Sequence, residues 1–201
     1  MRVGFIVECG PDGAETKVIP HIARMINPSI EAEVIPLSTK PNLKEQCGRY
    51  ARELLESGCE KVLIVWDLLP DWGEYDGRGC LHVDRQEIFT SLRNAGLPDI
   101  DNRVHLICIH VMLEAWLLAD ERALSGYLST VAHTIPVKRR KGTEVCKDPK
   151  AALNTLFKSL PCRISRYTDF TDAIKIAGKL PDLRRLECLD SFQRFQERLL
   201  R

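Results

Sequence analysis

The chain has 201 residues, of which 44% are hydrophobic and 28% are charged, and its formal net charge is +1. This balance is typical of one folded globular protein and excludes a disordered chain, while the small net charge excludes bulk attraction to nucleic acid. The longest apolar runs, residues 62–66 and 104–113, are too short to cross a bilayer, and the amino terminus lacks the regions of a signal peptide. We therefore expect a cytoplasmic protein that does not enter a membrane.

The eight cysteines are spread along the chain without a CxxC pair or a recurring interval. This spacing indicates neither a zinc site nor a disulfide framework. We expect most of the cysteines to be buried thiols.

The first part of the chain alternates predicted strands and helices. Residues 2–8 predict a strand that ends on Glu8, and a glycine-containing turn leads to a helix over 14–26. The turn lacks the lysine and hydroxyl of a P-loop and contains no GxGxxG, so we reject a nucleotide-binding loop there. A second strand over 31–37 and a helix over 43–57 follow.

The stretch 61–72 is the central feature of the sequence. Residues 62–66 are apolar without alternation, which predicts a strand covered on both faces, and the strand ends on Asp67, with Asp71 shortly after it. In open α/β sheets, ligands bind at the carboxyl ends of strands, which makes Asp67 a candidate site residue. The alternative is that Asp67 only caps the next turn or helix.

The second part of the chain continues the alternation. Residues 71–83 predict an active-site loop or an exposed insertion, and Asp84, with Glu87 three residues later, predicts the N-cap of a third helix. A fourth strand over 104–111 runs into a helix that carries Glu114. This order predicts an α/β fold with a mostly parallel central sheet flanked by helices.

We assign residues 1–128 to this core and residues 129–201 to a basic loop and a helical C-terminal extension packed on it. Asp169 and Asp190 are predicted helix caps. The extension contains three predicted helices, near 150–159, 171–180 and 191–199.

One short run in the extension is strongly basic, and it consists of Lys138, Arg139, Arg140 and Lys141. Such residues contact phosphate oxygens of nucleic acid without reading its sequence. The alternative is an ordinary solvated charge run.

Several acids follow predicted strands or open the next helix, namely Glu8, Glu15, Asp67, Asp71 and Glu114. Because the ends of parallel strands lie side by side, these carboxylates are expected to converge. Hard oxygen ligands favour Mg²⁺ or Mn²⁺, and a divalent ion would neutralise carboxylates that otherwise repel one another.

These acids, together with the E-A-W-x-x-x-D segment of residues 114–120, resemble a TOPRIM domain. More closely, the chain is similar to small stand-alone TOPRIM-like proteins of uncharacterised function that are related to OLD-type nucleases and RloB. The similarity runs from Glu8 to Asp120, and the S-F-x-x-F ending of residues 191–195 is also of the kind found in such proteins.

The resemblance implies a TOPRIM/Rossmann-like fold and an Mg²⁺- or Mn²⁺-dependent nuclease. It assigns catalysis to Glu8, Asp67 and Glu114, and metal binding to Glu8, Glu15, Asp67 and Asp71. It also implies a nucleic-acid substrate, an ABC-type ATPase partner, and a role in phage defence or mobile-element control.

The sequence differs from the usual motifs in two places. The compact E-G-x-x-E motif is stretched to E-C-G-P-D-G-A-E, and D-x-D becomes D-L-L-P-D, which leaves Asp12 and Asp76 as alternative ligands. The alternative function is a non-catalytic TOPRIM-like module that binds an ATPase or nucleic acid. A small-molecule phosphatase or nucleotide switch is a third class, and homo-oligomerisation stays open.

Overall fold

A four-stranded, all-parallel sheet lies at the centre of the computed structural model, which describes residues 1–69, 80–97, 102–159 and 166–201. The strands are β1 (Arg2–Val7), β2 (Glu31–Pro36), β3 (Lys61–Asp67) and β4 (Val104–Ile109), and their spatial order is β2-β1-β3-β4. The predicted α/β class with a parallel central sheet is therefore confirmed.

The neighbouring inner strands β1 and β3 determine where the site forms. Val7 pairs with Val65, so the residues that follow each strand leave the sheet side by side. All seven residues of β3 are buried, as its continuous apolar run predicted.

Helices cover both faces of the sheet. Side chains of β3 alternate, so that Leu63 and Val65 belong to one hydrophobic cluster and Ile64 and Trp66 to the other. None of the helices in the described part of the chain is both long and apolar enough to cross a membrane. The helices are α1 (Glu15–Ile26), α2 (Lys40–Glu56), α3 (Leu81–Asn94), α4 (Glu114–Ala119), α5 (Glu121–Leu128), α6 (Pro149–Ser159), α7 (Ile174–Ala177) and α8 (Asp190–Leu200).

Three predicted helix caps are wrong. The N-cap positions belong to Cys80, Thr168 and Leu189, so each predicted aspartate lies inside the first turn of its element. Asp84 is buried there because it accepts a hydrogen bond from Trp66 Nε1 at 3.1 Å. The displaced aspartates are Asp84, Asp169 and Asp190.

Two helix predictions also differ from the structure. Helix α2 begins at Lys40, three residues before the predicted start, because Pro41 is accommodated in the first turn and the Thr39 side chain caps the helix. The predicted helix over 171–180 is instead a π-helical turn, Asp169–Ala173, followed by the four residues of α7.

The last helix, α8, is held at both ends by charged side chains from other parts of the chain. The backbone N–H groups of Asp190 and Ser191 donate to the Glu144 carboxylate at 2.8 Å, and Lys61 Nζ donates to the Leu199 carbonyl at 3.0 Å. A negative charge at the N-terminus and a positive charge at the C-terminus both stabilise a helix. Helix α8 therefore packs as part of the core, while the predicted division at residue 128 stays a prediction.

Two helical glycines are expected to respond oppositely to alanine. A Cβ at Gly48 would lie 2.1 Å from the Ser91 backbone oxygen, where α2 meets α3, whereas at Gly126 the nearest atom, on the Lys179 side chain, is 3.7 Å away. Gly48→Ala should lower the free energy of unfolding by about 1–3 kcal/mol, and Gly126→Ala should raise it by about 0.5–1 kcal/mol. Urea denaturation of both variants checks this, and equal effects would contradict the packing of α2 on α3.

Candidate metal and catalytic site

A cavity of about 680 Å³ opens at the carboxyl ends of β1, β3 and β4. The sheet contributes its deepest acids, and the segment around α6 contributes the opposite wall. The charged lining residues are Glu8, Glu15, Asp67, Glu114, Lys147, Asp148, Lys150 and Asp169.

Glu8 and Asp67 are brought together by the pairing of β1 with β3. The Asp67 backbone N–H donates to Glu8 Oε1 at 3.2 Å, and the two residues are only 8% and 7% exposed. Burial raises the pKa of Glu8 to about 8; the positive charge of Lys40 opposes this rise and the negative charge of Glu15 adds to it.

The charges of three other acids act on Asp67. Burial raises its pKa well above the ordinary range, and the charges of Glu8, Glu15 and Glu114 raise it further. The Leu113 backbone provides a hydrogen bond that works in the opposite direction. The four acids therefore share one electrostatic environment, although they are far apart in sequence.

Two carboxylate oxygens at the base of the cavity lack a hydrogen-bond partner among the described residues, namely Glu8 Oε2 and Asp67 Oδ1. A buried carboxylate oxygen is costly unless a hydrogen bond, a cation or a metal compensates it. These oxygens therefore fit a hard divalent cation. Within the described ranges, no three His, Cys, Asp or Glu side chains are already grouped closely enough to hold a metal ion.

Glu114 is the first residue of α4 and is 6% exposed. The Tyr167 hydroxyl donates to Glu114 Oε1 at 3.2 Å. Burial raises the pKa of Glu114 to about 7, against the opposing charge of Lys150. This carboxyl group can therefore gain or lose a proton near neutral pH.

The sequence reasoning missed two lysines at the site. Lys150 Nζ donates to Asp169 Oδ2 at 2.6 Å, and both residues line the cavity. Lys40 is 1% exposed, and its Nζ donates to the Leu68 carbonyl at 2.8 Å, directly after Asp67. Neither lysine belongs to a recognisable motif, because each reaches the site from a helix that packs beside the strand ends.

The remaining predicted site residues lie in different places. Glu15 lines the cavity from the start of α1, and Asp12 is exposed. Asp71 and Asp76 lie outside the described residues. The four basic residues 138–141 are exposed in an irregular segment between α5 and α6.

Asp120, the last acid of the E-A-W-x-x-x-D segment, serves a structural purpose. It is fully buried, and its side chain caps α5 by accepting from the Arg122 and Ala123 backbone N–H groups. It also accepts from the Arg122 guanidinium at 2.6 Å. The charge of Asp120 is thus compensated by Arg122, and Asp120 does not line the cavity.

Comparison with known proteins leaves the family open. No protein-family model matches the chain, and searches of curated proteins and of solved structures give no match. Its function is therefore proposed from the chemistry of the cavity and from the resemblance carried by its motifs.

Proposed function

We propose that the protein is an Mg²⁺- or Mn²⁺-dependent nuclease of TOPRIM type that hydrolyses phosphodiester bonds. The observation that carries this proposal is the pair of buried carboxylates, Glu8 and Asp67. Each has one oxygen without a hydrogen-bond partner in the part of the chain that the structure describes, at the base of a cavity shared with Glu114. Oxygen donors of this kind favour Mg²⁺ and Mn²⁺ over metals that prefer thiolates.

Glu8 and Asp67 would hold the cation. The negative charge of Glu15 raises the pKa of both residues, so Glu15 is close enough to interact with the same cation. Asp71 stays a proposed fourth ligand. A divalent cation bound there would supply positive charge that stabilises the charge developing on a phosphodiester. Glu8 and Asp67 are buried, and burial strengthens interactions of this kind.

Glu114 is the proposed general base. Its pKa of about 7 suits a group that accepts a proton from an attacking water at neutral pH. The hydrogen bond from Tyr167 orients the carboxylate by holding Oε1. The base is therefore positioned by the C-terminal region.

Lysines provide the proposed contacts to phosphate. Lys147 and Lys150 line the cavity opposite the strand ends, where they can pair with phosphate oxygens. The exposed residues Lys138, Arg139, Arg140 and Lys141 would contact the nucleic-acid backbone farther from the reacting bond. The resemblance adds an ABC-type ATPase as a proposed partner, in phage defence or mobile-element control.

A cleavage assay tests this function. Purified protein, with and without a candidate ATPase, is incubated with labelled DNA and RNA in Mg²⁺, Mn²⁺ or EDTA. We expect metal-dependent cleavage, and we expect Glu114→Gln to slow it about 100-fold or more because the general base is lost.

The matched control is Glu31→Gln, which changes an exposed acid at the start of β2, at the other end of the sheet. This variant should cleave at the wild-type rate. Metal-dependent binding without cleavage under any condition would instead indicate the non-catalytic module, and cleavage by Glu114→Gln at the wild-type rate would remove Glu114 from the mechanism.

A further inference from the structure

The proposed catalytic carboxylates lie too deep in the cavity for the phosphates of an intact duplex to contact them. Glu8, Asp67 and Glu114 are between 6% and 8% exposed, and the cavity above them measures about 680 Å³. Pockets of about 300–1,000 Å³ enclose one small organic group. A double helix is stiff and carries its phosphates on a convex surface, whereas an unpaired strand can bend a single phosphate into such a cavity.

An exposed aromatic ring follows a residue that lines this cavity. Phe170 is 53% exposed, and within the described ranges it is the only aromatic among the large hydrophobic residues that are exposed. Its neighbour Asp169 is a lining residue. Phe170 itself does not line the cavity, so its exposed ring lies one residue along the chain from the lining.

The backbone of Phe170 is connected to the charged wall of the cavity. The Phe170 N–H donates to Asp169 Oδ1 at 3.1 Å, and Asp169 Oδ2 accepts from Lys150 Nζ at 2.6 Å. The aromatic residue and the lysine thus belong to one hydrogen-bonded unit. Proteins that bind single strands combine these two features, because bases stack on aromatic rings and phosphates pair with cations.

We propose that the substrate is an unpaired strand and that Phe170 stacks on one of its bases next to the phosphate that enters the cavity. This inference rests on the proposed nuclease function and specifies its substrate class. It makes Phe170 a binding residue that selects single-stranded over base-paired nucleic acid.

Fluorescence anisotropy tests the inference with labelled 12-nucleotide DNA and RNA strands and a blunt hairpin duplex closed by a non-nucleotide linker, in Ca²⁺. We expect the wild-type protein to bind a single strand about 10-fold or more tighter than the hairpin. Phe170→Leu should weaken single-strand binding about 5- to 100-fold, as loss of base stacking does, and should leave hairpin binding unchanged. Phe170→Trp should retain single-strand binding.

Val131→Ala is the matched control, because Val131 is an exposed apolar residue and neither it nor its chain neighbours line the cavity. Equal affinity for hairpin and single strand, unchanged binding by Phe170→Leu, or no binding to either probe would overturn the inference. Parallel cleavage in Mn²⁺ separates the two proposals. Cleavage of hairpin and strand at equal rates contradicts the substrate class alone, whereas Phe170-dependent binding without cleavage contradicts the nuclease alone.

Discussion

Asp67→Asn is expected to abolish metal-dependent cleavage while making the cation-free protein more stable. The substitution removes a buried charge that burial and three neighbouring acids disfavour. It also removes a hard oxygen ligand, which should reduce cleavage by about 10³-fold, since a bound cation contributes several kcal/mol to the transition state. The free energy of unfolding without divalent cation should rise by about 1–2 kcal/mol, because a functional site is commonly a source of strain.

Urea denaturation in EDTA at pH 8 and the cleavage assay measure the two effects. Glu31→Gln is the control, since Glu31 is an exposed acid at the start of β2, at the other end of the sheet. It should change neither stability nor cleavage. An Asp67→Asn variant that is less stable than the wild type, or that cleaves at the wild-type rate, would contradict the assignment.

Stability without divalent cation is expected to fall as the pH rises from about 5 to about 9. The pKa values of Glu8 and Glu114 rise from an ordinary value of 4.5 to about 8 and about 7 in the folded protein. A folded state that binds protons more tightly than the unfolded state is favoured at low pH. The contribution of these two carboxyl groups to the free energy of unfolding is fully present below about pH 4.5. It is lost as the pH passes through 7 and 8, and it amounts to a few kcal/mol, on the order of magnitude that such shifts give.

Mg²⁺ is expected to restore this stability at pH 8.5, because a ligand that binds only the folded state stabilises it, by about 2.7 kcal/mol at 100 times its dissociation constant. Urea denaturation at a series of pH values, with EDTA or Mg²⁺, checks both effects. Glu31→Gln should keep the wild-type pH dependence, whereas the double variant Glu8→Gln, Glu114→Gln should flatten it. A wild-type stability independent of both pH and Mg²⁺ would rule out buried carboxylates of this kind.

The strands and their terminal acids could be predicted because their signals are local. A continuous apolar run predicts a covered strand, and Asp67 at its end is visible without knowledge of the partners. That Glu8 lies beside Asp67 follows once the sheet is parallel and β1 pairs with β3. The contact between Glu8 and Asp67 could thus be predicted from the sequence.

The two lysines and the tyrosine of the site could not be predicted in this way. Lys40, Lys150 and Tyr167 reach the cavity through tertiary packing, and their spacing from the acids carries no periodic signal. Asp84 shows a different error, in which a local sequence pattern predicts the wrong position in the helix. It matches a capping box in sequence, but its contact with Trp66 and its charge interactions with α2 bury it inside the helix.

The two motifs that carry the TOPRIM resemblance in the second half of the chain contact each other. Trp116 Nε1 donates to Ser191 Oγ at 2.9 Å, and its ring packs edge-on against Phe192 with centroids 5.2 Å apart. The E-A-W and S-F-x-x-F segments therefore form one packing unit that supports α4 and its Glu114.

Titration with Mn²⁺, followed by the electron paramagnetic resonance signal of the free ion, tests the central claim most directly. The wild-type protein is predicted to bind Mn²⁺ saturably, with Mg²⁺ competing, and Asp67→Asn is predicted to bind it at least about 10-fold more weakly, because a charged oxygen ligand is lost. The same titration curve for both proteins, or a free-ion signal that the wild-type protein leaves unchanged, would contradict the assignment of this cavity as a divalent-cation site.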